Sequence, residues 1–590
     1  MKIQKSIVGL VLALAAPFIL IWPQTPQAAT WFPTGVEIVS VHEGESIQAA
    51  INKIKEGGMV LVSSGVYYET IKLKPKVVLR SESGPEQTTI DGSHGQGTVV
   101  QLAEGSTLDG FTVTGRVETD QEQDRHAIEC VDISPTIKNN VIRDNKGTGL
   151  YISGAQTEPQ VSGNRIYDNQ KAGIGITNQS KAQIFENQCY GNAEAGIGIR
   201  GKSAPTVKNN KCFLNQKVGI GISDKGTSPL VEGNECYDNE GAGIGLQEGA
   251  TAVLKNNNVH KNGRAGIGLR DASSATIEGN QIEANILAGI GIIDKSVATI
   301  KDNQIINNTM AGVTAMDGCK VTIENNLIEA NGTQGIVCSS SEVLVKKNRV
   351  LKNIHHGIGI YRQSKAEVCE NQINYNGAND KRGSGILVVS SDESHIHHND
   401  FNDNYGPGVY TRRCSPLISE NTFTNDLIFA MFHASPTIKN NVFYSAGKSG
   451  GKKAKSGVDI RESSHPIITE NEFLGKFAIA VHSKSHPLVM KNKFSGSHKN
   501  SIDSGRSGIK VNRNCRPSIV DNIFYNGNKL LIVGRSVTEN AILSFGNTGQ
   551  IKTMNTTNID FKPEEHGGKN LIVAGNQFLG PGKGREKKKK

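Results

Sequence analysis

The last third of the chain contains a row of polar residues that could do chemistry on one surface. Counted from a repeated glycine motif, each takes an outward position on a strand. The row consists of Tyr410, Arg412, His433, Asp459, Arg461, His482, Lys510 and Arg513. Arginine and lysine pair with carboxylates, while aspartate, histidine or tyrosine can move a proton. Such a row would suit a polymer of uronic acids.

Proton abstraction next to a carboxylate leads to lyase or epimerase chemistry, and this assigns two roles within the row. The predicted catalytic residues are Asp459, His482, Tyr410 and His433. The predicted substrate-binding residues are Arg412, Arg461, Lys510 and Arg513. The alternative is that these side chains are simply solvated, as most polar residues on a protein surface are.

A group of histidines is the second candidate for chemistry. His395 and His397 alternate along one predicted strand, so both leave it on the same face, where they could share a metal ion. His398 follows them, and His355 with His356 lies in an earlier repeat. The alternative is a set of exposed residues around an inward Ile396. We therefore assign no metal site and keep His395 and His397 as the residues to test.

These positions depend on a repeat with a period of mostly 23 or 24 residues. Its clearest form is Gly173-Ile174-Gly175-Ile176. The motif begins again at Gly196, Gly219, Gly243, Gly266 and Gly289, with looser copies at Gly149, Gly312, Gly335, Gly357, Gly385, Gly408, Gly457 and Gly508. A fixed period of this length predicts a solenoid, in which each repeat is one rung and contacts only its neighbours.

Asparagine marks the repeat a second time. One column, which counts seventeen rungs, consists of Asn140, Asn164, Asn187, Asn210, Asn234, Asn257, Asn280, Asn303, Asn326, Asn348, Asn371, Asn399, Asn421, Asn441, Asn471, Asn492 and Asn522. A second column runs five residues later, from Asn145 to Asn404. Because an asparagine amide both donates and accepts, stacked asparagines can satisfy buried turn groups along the axis.

Alternation within a rung predicts three short parallel strands around a narrow aliphatic core, in keeping with an aromatic content of 5%. The third motif residue then faces outward. This strip of Gly175, Gly198, Gly221, Gly245, Gly268 and Gly291 could let an extended ligand approach the backbone closely. The alternative is that these glycines only tighten the rungs.

The nine cysteines are odd in number and do not predict a disulfide framework. Cys189, Cys212 and Cys236 share one rung position with Ile166, Val259 and Ile282, which marks that position as interior. A column of three metal-binding thiolates is the less favoured alternative.

The formal net charge of +9 suits acidic partners without identifying one. The N-terminus has the pattern of a secretory signal peptide: a positive start at Lys2 and Lys5, an apolar run from 7 to 21, and small residues at Ala28-Ala29. We therefore expect a secreted or periplasmic protein. An uncleaved anchor stays open. We expect a monomer, no membrane span in the mature chain and no nucleic-acid partner, and the sequence indicates no particular cofactor.

After the signal, Ser46 can cap a short helix with Ile47, Ala50, Ile51 and Ile54 on one face, ending before Gly57-Gly58. We divide the chain into a signal peptide at 1–29, an N-terminal cap with the first rungs at 30–115, the repeats at 116–528, a C-terminal cap at 529–586 and a basic tail at 587–590.

The segment from Ser46 to Ile51, followed by Gly65-Val66-Tyr67, resembles the N-terminal cap of right-handed parallel β-helix proteins of the pectin-lyase-like superfamily. The repeat of Pro135-Thr136-Ile137 to Asn145 is similar to the carbohydrate-binding and sugar-hydrolase repeat of that superfamily. The resemblance covers residues 40 to 528 and implies an all-β, single-stranded right-handed parallel β-helix of about 17 or more rungs. Asp124-Arg125-His126 also resembles the Asp and His motif of mannuronan epimerases. Polygalacturonase, pectinesterase and F-box signatures are missing.

Three functions stay open. The first is binding of an acidic polysaccharide, with processing of lyase or epimerase type as its catalytic form. The second is a non-catalytic scaffold at the cell surface or in the periplasm. The third, implied by the resemblance to a periplasmic copper-site maturation protein, is a metal-site maturation factor that uses His395 and His397.

Overall fold

The computed structural model describes residues 35–95, 97–115, 126–155, 157–378, 383–444, 457–474, 477–495, 507–511, 515 and 517–525, together with short strands between 448 and 579. The predicted signal peptide, Asp124, Arg125, Arg513 and the basic tail lie outside these residues. The domain boundaries stay predictions.

The described chain forms a parallel β-solenoid of about 19 turns, which confirms the predicted fold class. Successive turns add one strand to each of three parallel sheets, so strands of one sheet are about one repeat apart in the chain. Sheet 1 contains the glycine motif, sheet 2 follows it within the rung, and sheet 3 completes the rung.

Sheet 1 consists of Ile71–Lys72, Val100–Gln101, Ile128–Val131, Leu150–Ser153, Ile174–Thr177, Ile197–Ile199, Ile220–Ile222, Ile244–Leu246, Ile267–Leu269, Ile290–Ile292 and Val313–Met316. It continues with Ile336–Ser339, Ile358–Tyr361, Ile386–Val389, Val409–Arg412, Leu427–Met431, Gly457–Ile460, Phe477–Val481, Ser507–Val511, Lys529–Ile532 and Ile559–Phe561.

Sheet 2 consists of Ile38–Val41, Met59–Val62, Val78–Ser81, Thr107–Asp109, Thr136–Lys138, Gln160–Ser162, Gln183–Phe185, Thr206–Lys208, Leu230–Glu232, Thr251–Lys255, Ser274–Glu278 and Val297–Lys301. It continues with Lys320–Glu324, Glu342–Lys346, Lys365–Cys369, His395–His397, Leu417–Ser419, Thr437–Lys439, Ile467–Thr469, Leu488–Met490, Ser518–Val520, Ile542–Leu543 and Ile572–Ala574.

Sheet 3 consists of Gly65–Tyr67, Thr88–Asp91, Thr112–Thr114, Val141–Arg143, Arg165–Tyr167, Gln188–Tyr190, Lys211–Phe213, Glu235–Tyr237, Asn258–His260, Gln281–Glu283 and Gln304–Ile306. It continues with Leu327–Glu329, Arg349–Leu351, Gln372–Asn374, Asp400–Asn402, Thr422–Thr424, Val442–Tyr444, Glu472–Leu474, Lys493–Phe494, Ile523–Tyr525 and Gln577–Leu579. Two short antiparallel pairs lie outside the sheets, Lys448–Ser449 with Lys452–Lys453 and Arg535–Ser536 with Glu564–Glu565.

The core follows from alternation along these strands. Ile174 and Ile176 point inward and are buried, while Gly175 between them faces outward. Cys189 and its neighbours in the column are fully buried, which confirms that this position is interior. The expectation of an aliphatic core is wrong for the C-terminal rungs. There, sheet 3 places a stack of buried rings inside: Phe401, Phe423, Phe443, Phe473 and Phe494.

The asparagine columns are continuous hydrogen-bonded ladders at the turns. The backbone N–H and the side-chain Nδ2 of Asn187 both donate to Oδ1 of Asn210 in the next rung, at 2.9 and 3.0 Å. Nδ2 of Asn187 also donates to the carbonyl of Val161. The buried amide of Asn187 is thus paired, as the stability of a buried polar group requires.

The two ladders end differently. The first runs on from Asn522 to Asn576, which the sequence count missed because 54 residues separate the two. Strands of the predicted C-terminal cap therefore extend the sheets. In the second ladder, Asp426 replaces asparagine after Asn404.

The first rung is covered by the predicted helix, Ile47–Lys53, whose residues Ile47, Ala50 and Ile51 are buried. Ser46 Oγ accepts from the N–H of Ala49, and the Glu69 carboxylate accepts from the N–H groups of Ile47 and Gln48. These bonds satisfy the free N–H groups of the first turn. None of the helices in the described residues is long and apolar enough to cross a bilayer.

Candidate functional site

The outward residues of sheet 1 form a single column along the solenoid. Strand pairing brings them into line in the order Tyr151, Gly175, Gly198, Gly221, Gly245, Gly268, Gly291, Thr314, Val337, Gly359, Leu387, Tyr410, Phe429, Asp459, Ala480 and Lys510. The glycine strip and most of the polar row therefore lie on the same face, at different heights.

The glycine strip is the floor of an open groove with a volume of about 1090 Å³, which we call the glycine groove. Its walls are the residues just before and just after each sheet 1 strand. The charged wall residues are Lys171, Arg200, Lys217, Arg264 and Arg270 against Glu194 and Glu240. Five cations against two carboxylates leave an excess of three positive charges in this set.

Not all of these cations are used within the protein. Lys217 Nζ lies 2.9 Å from Glu194 Oε1, and Arg270 contacts Gln247 and Asp271. Within the described part of the chain, neither Arg200 nor Arg264 has an ion-pair partner, and both are exposed. Two guanidinium groups on the groove walls are therefore available to an anion.

Packing does not require glycine in the central floor. A Cβ atom added at Gly268 would meet no atom within 4 Å, and at Gly198 the nearest would be Ala195 Cβ at 3.9 Å. Gly221 is tighter, with Val218 Cγ1 at 3.0 Å. By contrast, a Cβ on the first motif glycine Gly243 would lie 2.3 Å from Val259 Cγ1. The first glycine is thus needed for the fold, whereas a rung-tightening role does not explain Gly268.

The groove has defined ends. Towards the N-terminus, the ring of His126 stacks on Tyr151 at 4.4 Å. Towards the C-terminus, Thr314 and Val337 restore side chains to the column, and the Tyr361 ring lies over Gly359, 2.5 Å from a Cβ placed there. The glycine floor therefore does not continue to the polar row.

Asp459, Arg461 and His482 form the centre of the polar row. The Arg461 guanidinium bonds both carboxylate oxygens of Asp459, at 2.9 and 2.7 Å, and lies over the ring of Phe429. His482 Nε2 lies 3.8 Å from Asp459 Oδ1. Burial lowers the pKa of His482, which the Asp459 charge opposes, so the imidazole favours its neutral form. The pairing with Asp459 raises the pKa of Arg461.

Tyr410, Arg412 and Lys510 complete the cluster. Tyr410 is half-buried edge-on to Phe429, and this burial raises its pKa. Arg412 lies over the ring of Phe432 at 4.5 Å, with a buried Nε that has no hydrogen-bond partner in the described residues. Lys510 is exposed. We call Tyr410, Arg412, Asp459, Arg461, His482 and Lys510 the polar cluster.

His433 does not belong to this cluster. It lies exposed in the turn after Leu427–Met431 with a φ of 62°, so its predicted outward position on a strand is wrong. Its rung is short, with a spacing of only 20 residues from Asn421 to Asn441, and Leu427 takes the place of the motif glycine Gly457.

The histidine group lies on the outward face of sheet 2, away from both regions of sheet 1. His395 Nε2 is 2.9 Å from Ser419 Oγ, and burial, then the neighbouring His397, lowers the pKa of His395. His355 and His356 are in the turn before Ile358–Tyr361, where His356 Nδ1 accepts from the N–H of Ser384. They do not join the group.

The sequence reasoning missed two members of the histidine surface, Glu367 and Cys369. Strand pairing puts Glu367 opposite His395 and Cys369 opposite His397. The spacing of 28 residues from Asn371 to Asn399, longer than the usual 23 or 24, hides the pairing of Cys369 with His397 in the sequence. Aligning the two asparagines across that insertion would have found the contact.

Comparisons with known proteins agree with this architecture. The family model for the right-handed beta helix region matches residues 68–184, 126–282, 246–380, 355–454 and 384–578, which overlap to cover 68 to 578. None of the curated proteins matches the chain.

Several solved structures are similar at low identity. The mannuronan C-5 epimerase AlgE6 A-module of Azotobacter vinelandii is 18% identical, with 62% of this chain and 93% of that chain covered and a TM-score of 0.31. The PL6 family alginate lyase AlyGC is 12% identical, with 92% and 100% covered and a TM-score of 0.33. The periplasmic alginate epimerase AlgG is 14% identical, with 63% and 83% covered and a TM-score of 0.29.

Likenesses of this size carry no argument about what the chain binds. The family matches, by contrast, span most of the 590 residues and coincide with the rungs seen in the structure. The chain belongs to the right-handed β-helix family.

Proposed function

We propose that the protein is exported and binds an extended acidic polysaccharide in the glycine groove. The observation that carries this proposal is the bare floor at Gly198 and Gly268, where a side chain would fit but is lacking. Glycine in a strand interior costs about 0.5–1 kcal/mol relative to alanine. Such a repeated cost is explained if a ligand occupies the space above the backbone.

The shape and charge of the groove indicate the class of ligand. From Gly175 to Gly291 the floor spans five strand spacings, which at about 4.8 Å each is roughly 24 Å. An open groove of this length suits a linear polymer. Arg200 and Arg264 on its walls can each form paired hydrogen bonds with a carboxylate, the group that distinguishes acidic from neutral polysaccharides.

The test is calorimetric titration of the full chain with alginate, pectate and neutral dextran. We expect binding to one acidic polymer and none to dextran. Gly268→Leu should weaken binding at least tenfold without lowering the thermal midpoint, because the leucine fills free space. Gln281→Leu, which adds the same side chain at an exposed position of sheet 3, is the matched control.

The charge contribution is tested separately. Each hydrogen-bonded charge is worth about 1.5–3 kcal/mol, so Arg200→Ala with Arg264→Ala should weaken binding at least tenfold. Lys181→Ala, which removes an exposed cation next to sheet 2, should leave it unchanged. Binding unaffected by Gly268→Leu, or absent for every acidic polymer tried, would favour the scaffold function.

A second candidate function is processing of the same polymer by lyase or epimerase chemistry in the polar cluster. The observation that favours it is the 3.8 Å distance between His482 Nε2 and Asp459 Oδ1, with the pKa of His482 lowered by burial. Arg412 lies on the same face of sheet 1 and can bind a uronate. In this proposal His482 Nε2 removes the C5 proton next to the carboxylate. Tyr410 then either gives a proton to the opposite face of C5, which inverts that centre, or gives it to O4 of the departing sugar as the C4–O4 bond breaks.

Turnover is followed by the absorbance of unsaturated products and by the C5 configuration of the polymer. The rate should fall as pH drops through the lowered pKa of His482, because only the neutral imidazole is a base. His482→Gln and Tyr410→Phe should each abolish turnover while retaining binding in the glycine groove. Unchanged turnover in both variants would exclude this assignment.

A further inference from the structure

The outward face of sheet 2 holds a cluster of metal-ligating side chains that the proposed function does not use. Glu367 and Cys369 lie on one strand, and His395 and His397 on the next, with Glu367 opposite His395 and Cys369 opposite His397. Alternate residues of a strand share a face, so the four form a two-by-two block, the histidine block.

Three potential ligand atoms converge in the histidine block. A nitrogen of His397, a carboxylate oxygen of Glu367 and Sγ of Cys369 all lie within 4.8 Å of one another. His397 Nε2 is 3.3 Å from Glu367 Oε1. In a tetrahedral zinc site with Zn–N and Zn–O bonds of about 2.0–2.1 Å, two such ligands are separated by roughly 3.3 Å. A direct charge-assisted hydrogen bond would be shorter, at about 2.7–2.9 Å.

The neighbouring residues orient His397 for ligation. His398 Nε2 lies 2.8 Å from Glu420 Oε2, so it carries the proton that this carboxylate accepts. With Nε2 as the donor nitrogen of His398, its Nδ1 can accept from His397 Nδ1, 2.9 Å away. His397 donates its Nδ1 proton there, and its Nε2 lone pair is left facing Glu367. Ligating histidines at metal sites usually donate their other ring N–H directly to a carboxylate, carbonyl or water, and here Glu420 acts through His398.

We propose that Glu367, Cys369 and His397 bind one Zn²⁺ ion, with His398 and Glu420 as positioning residues. A thiolate, an imidazole and a carboxylate together suit this borderline-soft cation better than Ca²⁺ or Mg²⁺, which prefer oxygen alone. Binding displaces the thiol proton of Cys369 to solvent.

The exposure of the three ligands defines the route of entry. Cys369 is only 2% exposed, whereas the Glu367 side chain is 57% exposed. The ion therefore enters past Glu367, and three protein ligands leave a fourth position open to water. His395 stays outside the ligand set because its Nε2 contacts Ser419 Oγ.

Titration of tag-free, metal-stripped full chain with Zn²⁺ tests the proposal. We expect one ion per chain, no response to Ca²⁺, and a thiolate-to-metal absorption band when Co²⁺ replaces Zn²⁺. Cys369→Ser and His397→Gln should each lower Zn²⁺ affinity more than tenfold and remove the cobalt band. His260→Gln is the matched control, because His260 Nε2 faces Glu235 Oε1 at 3.5 Å on sheet 3 without a thiol.

Two further measurements test the positioning role of Glu420 and the metal site of the wild-type chain. Glu420→Ala should lower affinity about 10–100-fold, and Glu420→Asp should restore it. In the wild-type chain, Zn²⁺ should protect Cys369 from alkylation but should not change the alkylation of Cys414, which is the control. This measurement does not depend on whether a variant folds. Equal Zn²⁺ binding in wild type and Cys369→Ser, no protection of Cys369, or a preference for Ca²⁺ would overturn the proposal. In that case a proton, not a metal, joins His397 to Glu367.

Discussion

Sheet 1 has two regions that share the same backbone arrangement but differ in the side chains on their outward face. Between Gly175 and Gly291 its outward column has no side chains, and the cations stand on the walls of a groove. Between Tyr410 and Lys510 the column is filled, and its charges contact each other, as Asp459 and Arg461 do. Where the outward column is glycine, the cations on the groove walls are available to a ligand. Where the column has charged side chains, some of them pair with one another.

The interior changes along with the surface. The glycine rungs place Cys189, Cys212 and Cys236 at the inner position of sheet 3, and the C-terminal rungs place a phenylalanine stack there. The second asparagine ladder also ends in that region, at Asp426. The described C-terminal rungs thus keep the first asparagine ladder, lack the second, and contain bulky core side chains.

The largest expected effect is on the phenylalanine stack. Phe443→Ala leaves a cavity between Phe423 and Phe473 and should lower the free energy of unfolding by about 3–5 kcal/mol. Cys212→Ala removes one sulfur atom and should cost about 1 kcal/mol. Urea denaturation measures both. An equal loss of unfolding free energy in both variants would show that the phenylalanine stack contributes no more to stability than the cysteine column does.

The next largest effect on stability is expected from exchanging asparagine and aspartate in the second asparagine ladder, as Asn262→Asp and Asp426→Asn. Asp426 Oδ2 accepts from Asn404, but its buried Oδ1 has no partner among the described residues, and burial raises the pKa of this carboxyl far above its usual range. Asn262→Asp should cost about 2–3 kcal/mol at pH 7, because the lost amide no longer donates to the carbonyl of Cys236 and to Oδ1 of Asn285.

Asp426→Asn should stabilise the protein at pH 7. A folded-state pKa above the unfolded value means that the native state binds more protons, so the wild type loses stability as pH rises from the ordinary carboxyl pKa towards the raised pKa of Asp426. The asparagine variant lacks this loss. Thermal midpoints at pH 4 and pH 7 provide the comparison, and a variant advantage that is larger at pH 4 would contradict the assigned direction.

Alanine substitutions at the first and third glycines of the motif should differ by a smaller amount in unfolding free energy. Gly243→Ala places Cβ against Val259 and the carbonyl of Gly266 and should cost about 1–3 kcal/mol. Gly268→Ala should be neutral or stabilise by up to about 1 kcal/mol. Thermal unfolding of both variants checks this, and a destabilising Gly268→Ala would mean that the floor glycines are structural.

The smallest effect is expected in the polar cluster. Arg461 is 40% exposed, so Arg461→Ala should change stability by less than about 1 kcal/mol. The pKa of His482, lowered mainly by burial, should nevertheless rise, because a nearby cation is removed and Asp459 is left unpaired. NMR titration of the His482 ring protons measures this. A fall in that pKa would contradict the described geometry.

The sequence predicted well wherever one residue type repeats in register. Asn187 and Asn210 revealed the ladder, and Cys189 with Ile166 revealed an interior column, because stacking makes equivalent positions chemically alike. The column that contains Tyr410, Asp459 and Lys510 followed from the same counting. It failed at His433, where the rung is short, and at Cys369, where an insertion hides the partner His397. Such contacts depend on local strand register, which a fixed period does not contain.

The first asparagine ladder has one more consequence. Each ladder asparagine from Asn164 to Asn522 presents an Oδ1 acceptor to the rung before it and an Nδ2 donor to the rung after it, as Asn210 does between Asn187 and Asn234. The junctions between regular rungs are therefore interchangeable. Deleting or duplicating a whole repeat, such as 196–218, recreates the same junction, so the copy number of this module can set the reach of the molecule without redesign of its ends.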